Sequence, residues 1–303
     1  MKSRVVGRWG KVGRFHCQHV VHRGCEQRDV DGKPNWGAKR GGVRRIFDLM
    51  DSTILERGPY RYVEEGQGTP LVLLHGLFGA LSNFSEVRAH FSKRFRVITP
   101  MLPIYELPML ETNAKNMAKH IAGFLDELGL DKVHLLGNSL GGHVGLIYTR
   151  DHLDRVASLT LTASSGLYEN AFGSSFPRRE DKSYIKEKVA VTFHDPKHAT
   201  PELVDECFEA VNDRNKVLRI LSIAKSAIRH NMSKDLPSMN VPVCLIWGRN
   251  DIITPPEVAE EFKAGLPDAD LFWIDACGHA PMMEHPDTFN QILSEWYAAR
   301  GIA

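Results

Sequence analysis

The sequence contains no apolar run that approaches the roughly 20 residues a membrane-spanning helix requires. Its apolar stretches are short, as at 243–247. There is also almost no net charge, since 38 Lys and Arg stand against 37 Asp and Glu in 303 residues. This balance excludes attraction of the whole chain to nucleic acid or to an anionic membrane surface. We therefore expect neither a nucleic-acid partner nor a membrane partner.

Cysteine is scarce as well. The chain has an odd number of cysteines, too few for a disulfide framework, at Cys17, Cys25, Cys207, Cys244 and Cys277. This favours a reducing compartment. Because the pattern of a secretory signal is missing too, we expect a cytoplasmic protein.

Residues 1–48 differ in composition from the rest of the chain. They carry 12 Lys or Arg and 4 Asp or Glu, a net charge of +8, whereas the remainder carries −7. This leader has eight glycines and no leucine, so it cannot bury enough apolar surface to offset the entropy cost of ordering. We predict a basic, disordered leader.

Three interpretations of the leader are open. It is a basic arm for a polyanion, a metal site, or an upstream extension that precedes a true start at Met50. A metal site would use the cluster His16, Cys17, His19, His22 and Cys25. The spacing of that cluster matches no common zinc pattern. We favour the extension, because runs of charge are usually solvated, and we expect no bound metal.

From about residue 50 onward, short apolar or β-branched runs bounded by Gly, Pro or Asp predict seven strands. They are Arg61–Glu65, Leu71–His75, Arg96–Thr99, Val133–Gly137, Ala157–Thr162, Val243–Trp247 and Leu271–Ile274. Helical spacing follows two of these runs, at 117–128 after Arg96–Thr99 and at 289–296 after Leu271–Ile274. This alternation predicts an α/β fold with a mostly parallel central sheet flanked by helices.

The alternation stops between about Gly166 and Leu236. Three helical stretches occur there without a convincing strand, at Asp181–Phe193, Glu202–Asn212 and Arg214–His230. We therefore predict an α/β core of residues 49–165 and 237–303 and a helical cap, or lid, of residues 166–236. Such a cap would lie over the carboxyl ends of the strands, where open α/β sheets bind ligands.

Ser139 lies in a Gly-x-Ser-x-Gly motif with Gly137 and Gly141, directly after a predicted strand and before a helical stretch. A strained strand-to-helix turn, which we call the elbow, exposes the serine hydroxyl. The residues that flank the serine must be small so that the two backbones can approach. On composition alone such a motif recurs in roughly one chain in ten of this length. The surrounding sequence must therefore decide its meaning.

The loop after the strand at 71–74 is suited to presenting a backbone N–H beside that serine. The N–H groups of Leu77 and Leu140 are the candidate donors of an oxyanion hole. Candidate supports of the elbow and of this loop are His75, Gly76, Gly137 and Gly141. The alternative is an ordinary turn at the end of a strand.

Two candidate partners of the serine follow later strands. Asp251 lies just beyond the strand at 243–247, and His279 lies just beyond the strand at 271–274. We expect both to converge with Ser139 at one rim of the sheet, with His279 as base and Asp251 as acid. Asp275 is a less favoured alternative for the acid, and His285 is a less favoured alternative for the base.

With these motifs, the chain from about Met50 to Ala303 resembles the α/β-hydrolase superfamily, whose triad follows the order Ser, Asp, His. The resemblance implies a small-molecule substrate, a nucleophilic Ser139 and no cofactor. Epoxide hydrolases and haloalkane dehalogenases of the same fold carry aspartate at the elbow, so Ser139 disfavours both.

Among subfamilies, the chain is similar to compact bacterial carboxylesterases and to meta-cleavage-product C–C hydrolases. The latter commonly have tryptophan after the catalytic histidine, where this chain has Ala280. We therefore favour ester hydrolysis, with C–C hydrolysis as one alternative and a non-catalytic binding protein on this scaffold as another. The sequence does not indicate an oligomeric state.

Residues of the predicted cap would set substrate choice. Candidates for an apolar pocket are Phe172, Phe176, Phe193 and Phe208. Aromatic residues at helical spacing are more often core than ligand contacts. Arg178 and Arg179 offer a site for a substrate carboxylate, but a solvated face is the favoured interpretation.

Overall fold

A computed structural model of the chain describes residues 53–78, 81–170 and 178–302. The leader and its candidate metal ligands lie outside the described residues. The strands in the described part are β1 (Leu55–Arg57), β2 (Tyr60–Glu65), β3 (Thr69–Leu74), β4 (Phe95–Pro100), β5 (Val133–Asn138), β6 (Val156–Thr162), β7 (Val243–Gly248) and β8 (Ala269–Ile274).

These strands form one sheet in the order β1-β2-β4-β3-β5-β6-β7-β8. The six strands from β4 to β8 in that order are parallel, whereas β1 and β2 join one end antiparallel. The predicted mostly parallel sheet is confirmed. Strand β1 was not predicted from the sequence, because its three residues are all exposed and show no apolar pattern.

The described helices are α1 (Ser85–Phe91), α2 (Ala114–Glu127), α3 (Leu140–Asp151), α4 (Lys182–Ala190), α5 (Pro201–Asn212), α6 (Arg214–Arg229), α7 (Pro256–Gly265), α8 (Pro281–Glu284) and α9 (Pro286–Ala299). Apolar residues of α2, α3 and α7 pack on one face of the sheet. Those of α1 and α9 pack on the other face. Both faces of the parallel strands are therefore buried, which explains why their sequences are nearly continuous apolar runs.

Strand β3 lies between β4 and β5, so the chain leaves β3 toward one side of the sheet and later returns on the other. A reversal of this kind is a topological switch point, and the loops after the two central strands diverge there. The loop after β3 begins at His75, and the turn after β5 is Ser139. The fold thus opens a crevice at the predicted serine.

Helices α4, α5 and α6 lie between β6 and β7, and we call these helices, with the loops that join them, the helical insert. Each begins at a side-chain cap: Asp181 for α4, Thr200 for α5 and Asp213 for α6. The Asp213 carboxylate accepts hydrogen bonds from Asn215 N and Lys216 N. A cap supplies an acceptor to backbone N–H groups that the helix itself leaves unpaired. Local sequence therefore sets where these helices start.

Within the described ranges, none of the helices combines the length and the apolar character that crossing a bilayer requires.

Candidate active site

Ser139 is a single residue between the end of β5 and the start of α3. Its backbone has φ 52° and ψ −120°. A positive φ is uncommon for a residue with a side chain and costs on the order of 1–3 kcal/mol, so the surrounding structure must hold it. The backbone carbonyl of Ser139 accepts hydrogen bonds from His143 N and Ser165 N, both over 3.1 Å. These bonds fix the turn that presents the side chain.

The glycines around Ser139 have no room for a side chain. A Cβ on Gly137 would lie 2.5 Å from the carbonyl oxygen of Gly141 and from Gly142 N. A Cβ on Gly141 would clash with the carbonyl group of Leu74 at the end of β3. The spacing of small residues in the motif therefore reflects a close approach between β3, β5 and α3.

The predicted oxyanion-hole residues lie on either side of Ser139. Leu77 follows β3 and Leu140 is the first residue of α3, and both line the same cavity as Ser139. The N–H of a first helical residue has no partner within its helix, so the N–H of Leu140 is free to bind an anion. Gly76 brings the two loops together, because a Cβ there would lie 3.4 Å from Ser139 Cβ.

His75 supports this loop. Its Nε2 accepts a hydrogen bond from Leu102 N over 3.1 Å, so the proton is on Nδ1, which donates to the carbonyl of Gly76 over 2.9 Å. Burial lowers the pKa of His75, which favours its neutral form. With both nitrogens engaged, His75 holds the backbone beside Leu77 and is not a second base.

His279 and Asp251 form a buried hydrogen-bonded pair. His279 Nδ1 lies 2.9 Å from Asp251 Oδ2, and the Asp251 side chain has no exposed surface. An ionised carboxylate only accepts hydrogen bonds, so Nδ1 carries the imidazole proton. Within the described ranges, Nε2 of His279 has no hydrogen-bond partner, so its lone pair is available. Because His279 lines the same cavity as Ser139, the structure brings together all three residues that the sequence singled out.

Thr254 completes the surroundings of Asp251 and was missed by the sequence analysis. Asp251 Oδ1 accepts hydrogen bonds from Ile253 N (2.8 Å) and Thr254 N (3.0 Å), and Oδ2 accepts one from Thr254 Oγ1 (2.8 Å). Donors of this kind stabilise the ionised carboxylate. An acidic residue followed three positions later by threonine, just after a strand, is the signal that points to this turn.

The loop that carries His279 is tied to neighbouring elements. Gly278 has no room for a side chain beside Thr192 and His194 of the helical insert. His279 N donates to the carbonyl of Thr192 over 2.7 Å, and the carbonyl of His279 accepts from Asn138 Nδ2 over 3.2 Å. The insert and the elbow therefore both position the imidazole.

Glu284 is a further support that the sequence analysis missed. Its buried carboxylate accepts hydrogen bonds from Gly278 N and from Asp195 N, each over 2.7 Å. One carboxylate thus joins the loop of the histidine to the loop between α4 and α5. Without it, two backbone donors in this region would lose their partner.

The two alternative residues face elsewhere. Asp275 is the first residue after β8, and its side chain is 87% exposed and paired with Arg249 over 2.8 Å. His285 Nε2 donates to the carbonyl of Ala276 over 2.9 Å. Asp251 already occupies His279 Nδ1, so the structure gives Asp275 no place beside the imidazole.

The cavity beside Ser139 has a volume of about 120 Å³ and a mostly apolar wall. Since one water molecule needs about 10–15 Å³ of cavity volume, this cavity accepts a small organic group. The insert supplies much of the wall, through residues that include Ile185, Val189, Phe193, Leu203, Val211 and Ile223. The cavity thus lies between the loops at the end of the sheet and the helical insert.

The residues considered for the cap separate in the structure. Phe193 lines the cavity, whereas Phe208 does not line it and packs, half-buried, against an apolar cluster that includes residues of α4 and α5. Phe172 and Phe176 lie outside the described residues. The guanidinium of Arg178 lies 4.6 Å from the centre of the Tyr184 ring, at an exposed position.

An acidic residue of the cavity wall was not predicted from the sequence. Glu169 lines the cavity with Ser139 and His279, and its Oε2 accepts a hydrogen bond from Ser165 Oγ over 2.6 Å. No motif marks this residue in the sequence. Across the parts of the chain that the structure describes, no group of three or more His, Cys, Asp or Glu is arranged to hold a metal ion.

A parallel sheet with a serine at the turn after its central strand defines an α/β enzyme of the hydrolase type. Residues 69–286 match the family described as alpha/beta hydrolase fold. The chain belongs to this α/β-hydrolase family, and the predicted resemblance is confirmed. An enzyme is thereby supported over a non-catalytic binding protein.

Particular relatives differ in activity. The chain is 46% identical to an alpha/beta hydrolase enzyme from the metagenome of Mar Chica lagoon sediments, with a TM-score of 0.69, covering 82% of this chain and 100% of that one. It is 26% identical to a 2-hydroxy-6-oxononadienedioate/2-hydroxy-6-oxononatrienedioate hydrolase of a Pseudomonas species, over 85% of this chain and 97% of that protein.

A third relative, from Pseudomonas putida, is named as the dihydrolipoyllysine-residue acetyltransferase component of an acetoin cleaving system. It is 30% identical over 92% of this chain and 73% of its own length. Family membership therefore leaves the reaction of this chain to be argued from its site.

Proposed function

We propose that this protein is a serine hydrolase that cleaves a small-molecule carboxylic ester through an acyl-enzyme intermediate. The proposal rests above all on the buried hydrogen bond from His279, a residue of the cavity wall that includes Ser139, to Asp251. A serine, a base with a free nitrogen and a buried acid on that base are the groups that nucleophilic acyl transfer needs.

In the first half-reaction, Ser139 Oγ attacks the carbonyl carbon of the ester while His279 Nε2 takes the hydroxyl proton. Asp251 holds the imidazole in the correct tautomer and stabilises the imidazolium. The negative charge that develops on the carbonyl oxygen is stabilised by the N–H groups of Leu77 and Leu140. Each such donor is worth about 3 kcal/mol of transition-state stabilisation.

The tetrahedral intermediate then collapses. The bond to the leaving oxygen breaks as His279 returns the proton to it, and an alcohol departs from the acylated Ser139. Water next attacks the acyl carbon while His279 takes its proton, and the acid is released as Ser139 regains a proton. The imidazole thus ends the cycle as it began.

We also assign residues 166–236 as the cap that decides which substrates enter. Residues of α4, α5 and α6 line the cavity that holds Ser139, which supports this assignment. A lid built from apolar side chains selects acyl and alcohol groups by shape and excludes water from the reacting bond.

C–C bond hydrolysis is the second candidate. The observation that favours it is the similarity to a 2-hydroxy-6-oxononadienedioate/2-hydroxy-6-oxononatrienedioate hydrolase. Against it stands Ala280, a buried residue of the cavity wall, where those hydrolases commonly carry tryptophan.

The test is hydrolysis of a panel of p-nitrophenyl esters, set against a vinylogous diketone acid, with fluorophosphonate labelling of the serine. We expect ester turnover and one adduct on Ser139, and Ser139→Ala should lower kcat by about 10⁵-fold or more. Ser233→Ala, a serine outside the cavity, is the matched control. Wild-type rates in Ser139→Ala would remove Ser139 from the mechanism, and faster turnover of the diketone would favour C–C hydrolysis.

A further inference from the structure

A carboxylate lies in the cavity wall next to the proposed triad. Glu169 lines the cavity with Ser139 and His279, and among the described residues its side chain has one hydrogen-bond partner, Ser165 Oγ, at 2.6 Å. Burial raises the pKa of Glu169, whereas the Ser165 hydrogen bond and the charge that His279 carries when protonated lower it. The charge of Glu169 therefore interacts with the charge of protonated His279.

Hydrogen bonds on both sides fix Glu169 relative to the triad. Ser165, its partner, donates its backbone N–H to the carbonyl of Ser139 over 3.1 Å. On the other side, Asn170 N donates to the carbonyl of Ile253 over 2.7 Å, in the loop after β7 that carries the proposed acid. The segment that carries Glu169 is thus held between the turn at Ser139 and the loop after β7 that carries Asp251.

Few other groups of the cavity wall offset the negative charge of the Glu169 carboxylate. Lys188 also lines the cavity, but its ammonium lies 5.5 Å from the centre of the Tyr184 ring, and no ion pair joins it to Glu169 within the described ranges. Burial raises the pKa of the Cys207 thiol to about 12, so it is uncharged near neutral pH. The remaining neighbours are largely apolar, among them Ile185, Val189, Phe193, Ile223, Ala227 and Met283.

We propose that Glu169 makes this site select esters that are neutral or cationic and reject those that carry a carboxylate. The inference rests on the proposed ester hydrolysis and names the substrate class for it. A second negative charge in a cavity with a mostly apolar wall is repelled by the first, whereas a hydroxyl or ammonium group of the substrate donates a hydrogen bond to Glu169.

The same residue bears on the choice between the two candidate activities. The substrate in the name of the similar Pseudomonas hydrolase is a dioate, which carries two carboxylates. A cavity whose wall holds a glutamate that forms no ion pair within the described ranges is poorly suited to such a molecule. Glu169 therefore favours uncharged esters.

The test compares an isosteric pair, p-nitrophenyl valerate and mono-p-nitrophenyl glutarate, which differ by a terminal methyl against a carboxylate. Unit charges about 6 Å apart at an effective dielectric constant of about 20 change a rate roughly 100-fold, and solvent reduces this. We expect kcat/KM of the wild type to favour the neutral ester by about tenfold or more. Glu169→Gln should lower that ratio by about tenfold, whereas Glu187→Gln, at an exposed position of α4, should leave it unchanged.

A binding measurement keeps this inference separate from the proposed reaction. In a Ser139→Ala background, dissociation constants of the amides pentanamide and glutaramate are measured by calorimetry with and without Glu169→Gln. We expect Glu169→Gln to strengthen glutaramate binding relative to pentanamide. If neither ester is hydrolysed, the proposed function fails and the amides alone decide this inference.

Three results would overturn the selectivity. They are an equal preference in the wild type, an unchanged ratio in Glu169→Gln, and an equal change in Glu187→Gln. The pH dependence adds a further readout. Burial raises the pKa of Glu169. As pH rises through that pKa the carboxyl loses its proton, so its negative charge and the preference for the neutral ester grow together.

Discussion

The change of Asp251 to asparagine tests the geometry of the site most directly. The Asp251 carboxylate accepts four hydrogen bonds: Oδ1 from the N–H groups of Ile253 and Thr254, and Oδ2 from Thr254 Oγ1 and His279 Nδ1. Asparagine has the same shape, but one of its two terminal atoms is a donor. The two backbone donors hold the amide oxygen at the Oδ1 position, so the amide NH₂ faces His279.

The size of the effect follows from the tautomer. Facing an NH₂ group, His279 Nδ1 must accept a hydrogen bond, and the imidazole proton moves to Nε2. Nε2 then cannot take the proton of Ser139. A triad locked in this wrong tautomer loses about 10⁴-fold in kcat, which corresponds to about 5 kcal/mol.

The assay is steady-state hydrolysis of a p-nitrophenyl ester, with thermal unfolding to show that the variant is folded. Asp275→Asn is the matched control, because Asp275 is 87% exposed and paired with Arg249 at the surface. We expect that control to stay within about twofold of the wild type, since exposed ion pairs contribute little. The reasoning is refuted if Asp251→Asn retains a tenth of the wild-type kcat, or if Asp275→Asn loses as much.

Two further predictions concern stability. Gly141→Ala should lower the free energy of unfolding by about 3 kcal/mol, because the new Cβ clashes with the carbonyl group of Leu74. Gly129→Ala, at φ +65° with nothing within 4 Å, should cost only about 1 kcal/mol in urea titrations, and an equal or smaller loss in Gly141→Ala would contradict the close approach. Burial lowers the pKa of His143 to about 3, so the unfolded chain takes up a proton there near pH 6.5 and the folded protein does not; stability should fall as pH falls between these values. From pH 6.5 to 5 this group should contribute about 2 kcal/mol, and urea unfolding of His143→Gln should show a pH dependence smaller by that amount.

Much of the fold was predictable because its signals are local. Parallel strands buried on both faces appear as apolar runs, and seven of the eight described strands were predicted from them. The stretches predicted as helices at Glu202–Asn212 and Arg214–His230 correspond to α5 and α6, whose ends are set by caps in the sequence. The edge strand β1 and the short helix α1 lack a distinct pattern, so they were not predicted.

The proposed roles of Ser139, Asp251 and His279 stay predictions. That Ser139 and His279 line one cavity, with Asp251 hydrogen-bonded to His279, is a property of the structure. Residues without a motif could not be found from sequence. In the sequence, nothing distinguishes Glu169 and Glu284 from other acidic residues. The path of the chain over the sheet places their hydrogen-bond partners beside them.

The sequence by itself determined the alternation of strands and helices, the strained turn at Ser139 and the order of the three candidate side chains. These depend on periodicity and on small residues near one another in the chain. Only the tertiary structure decided that Asp251 rather than Asp275 meets His279, and that Glu169 enters the cavity. The physical reason is that side-chain direction at the end of a strand depends on hydrogen bonds and packing between segments remote in sequence.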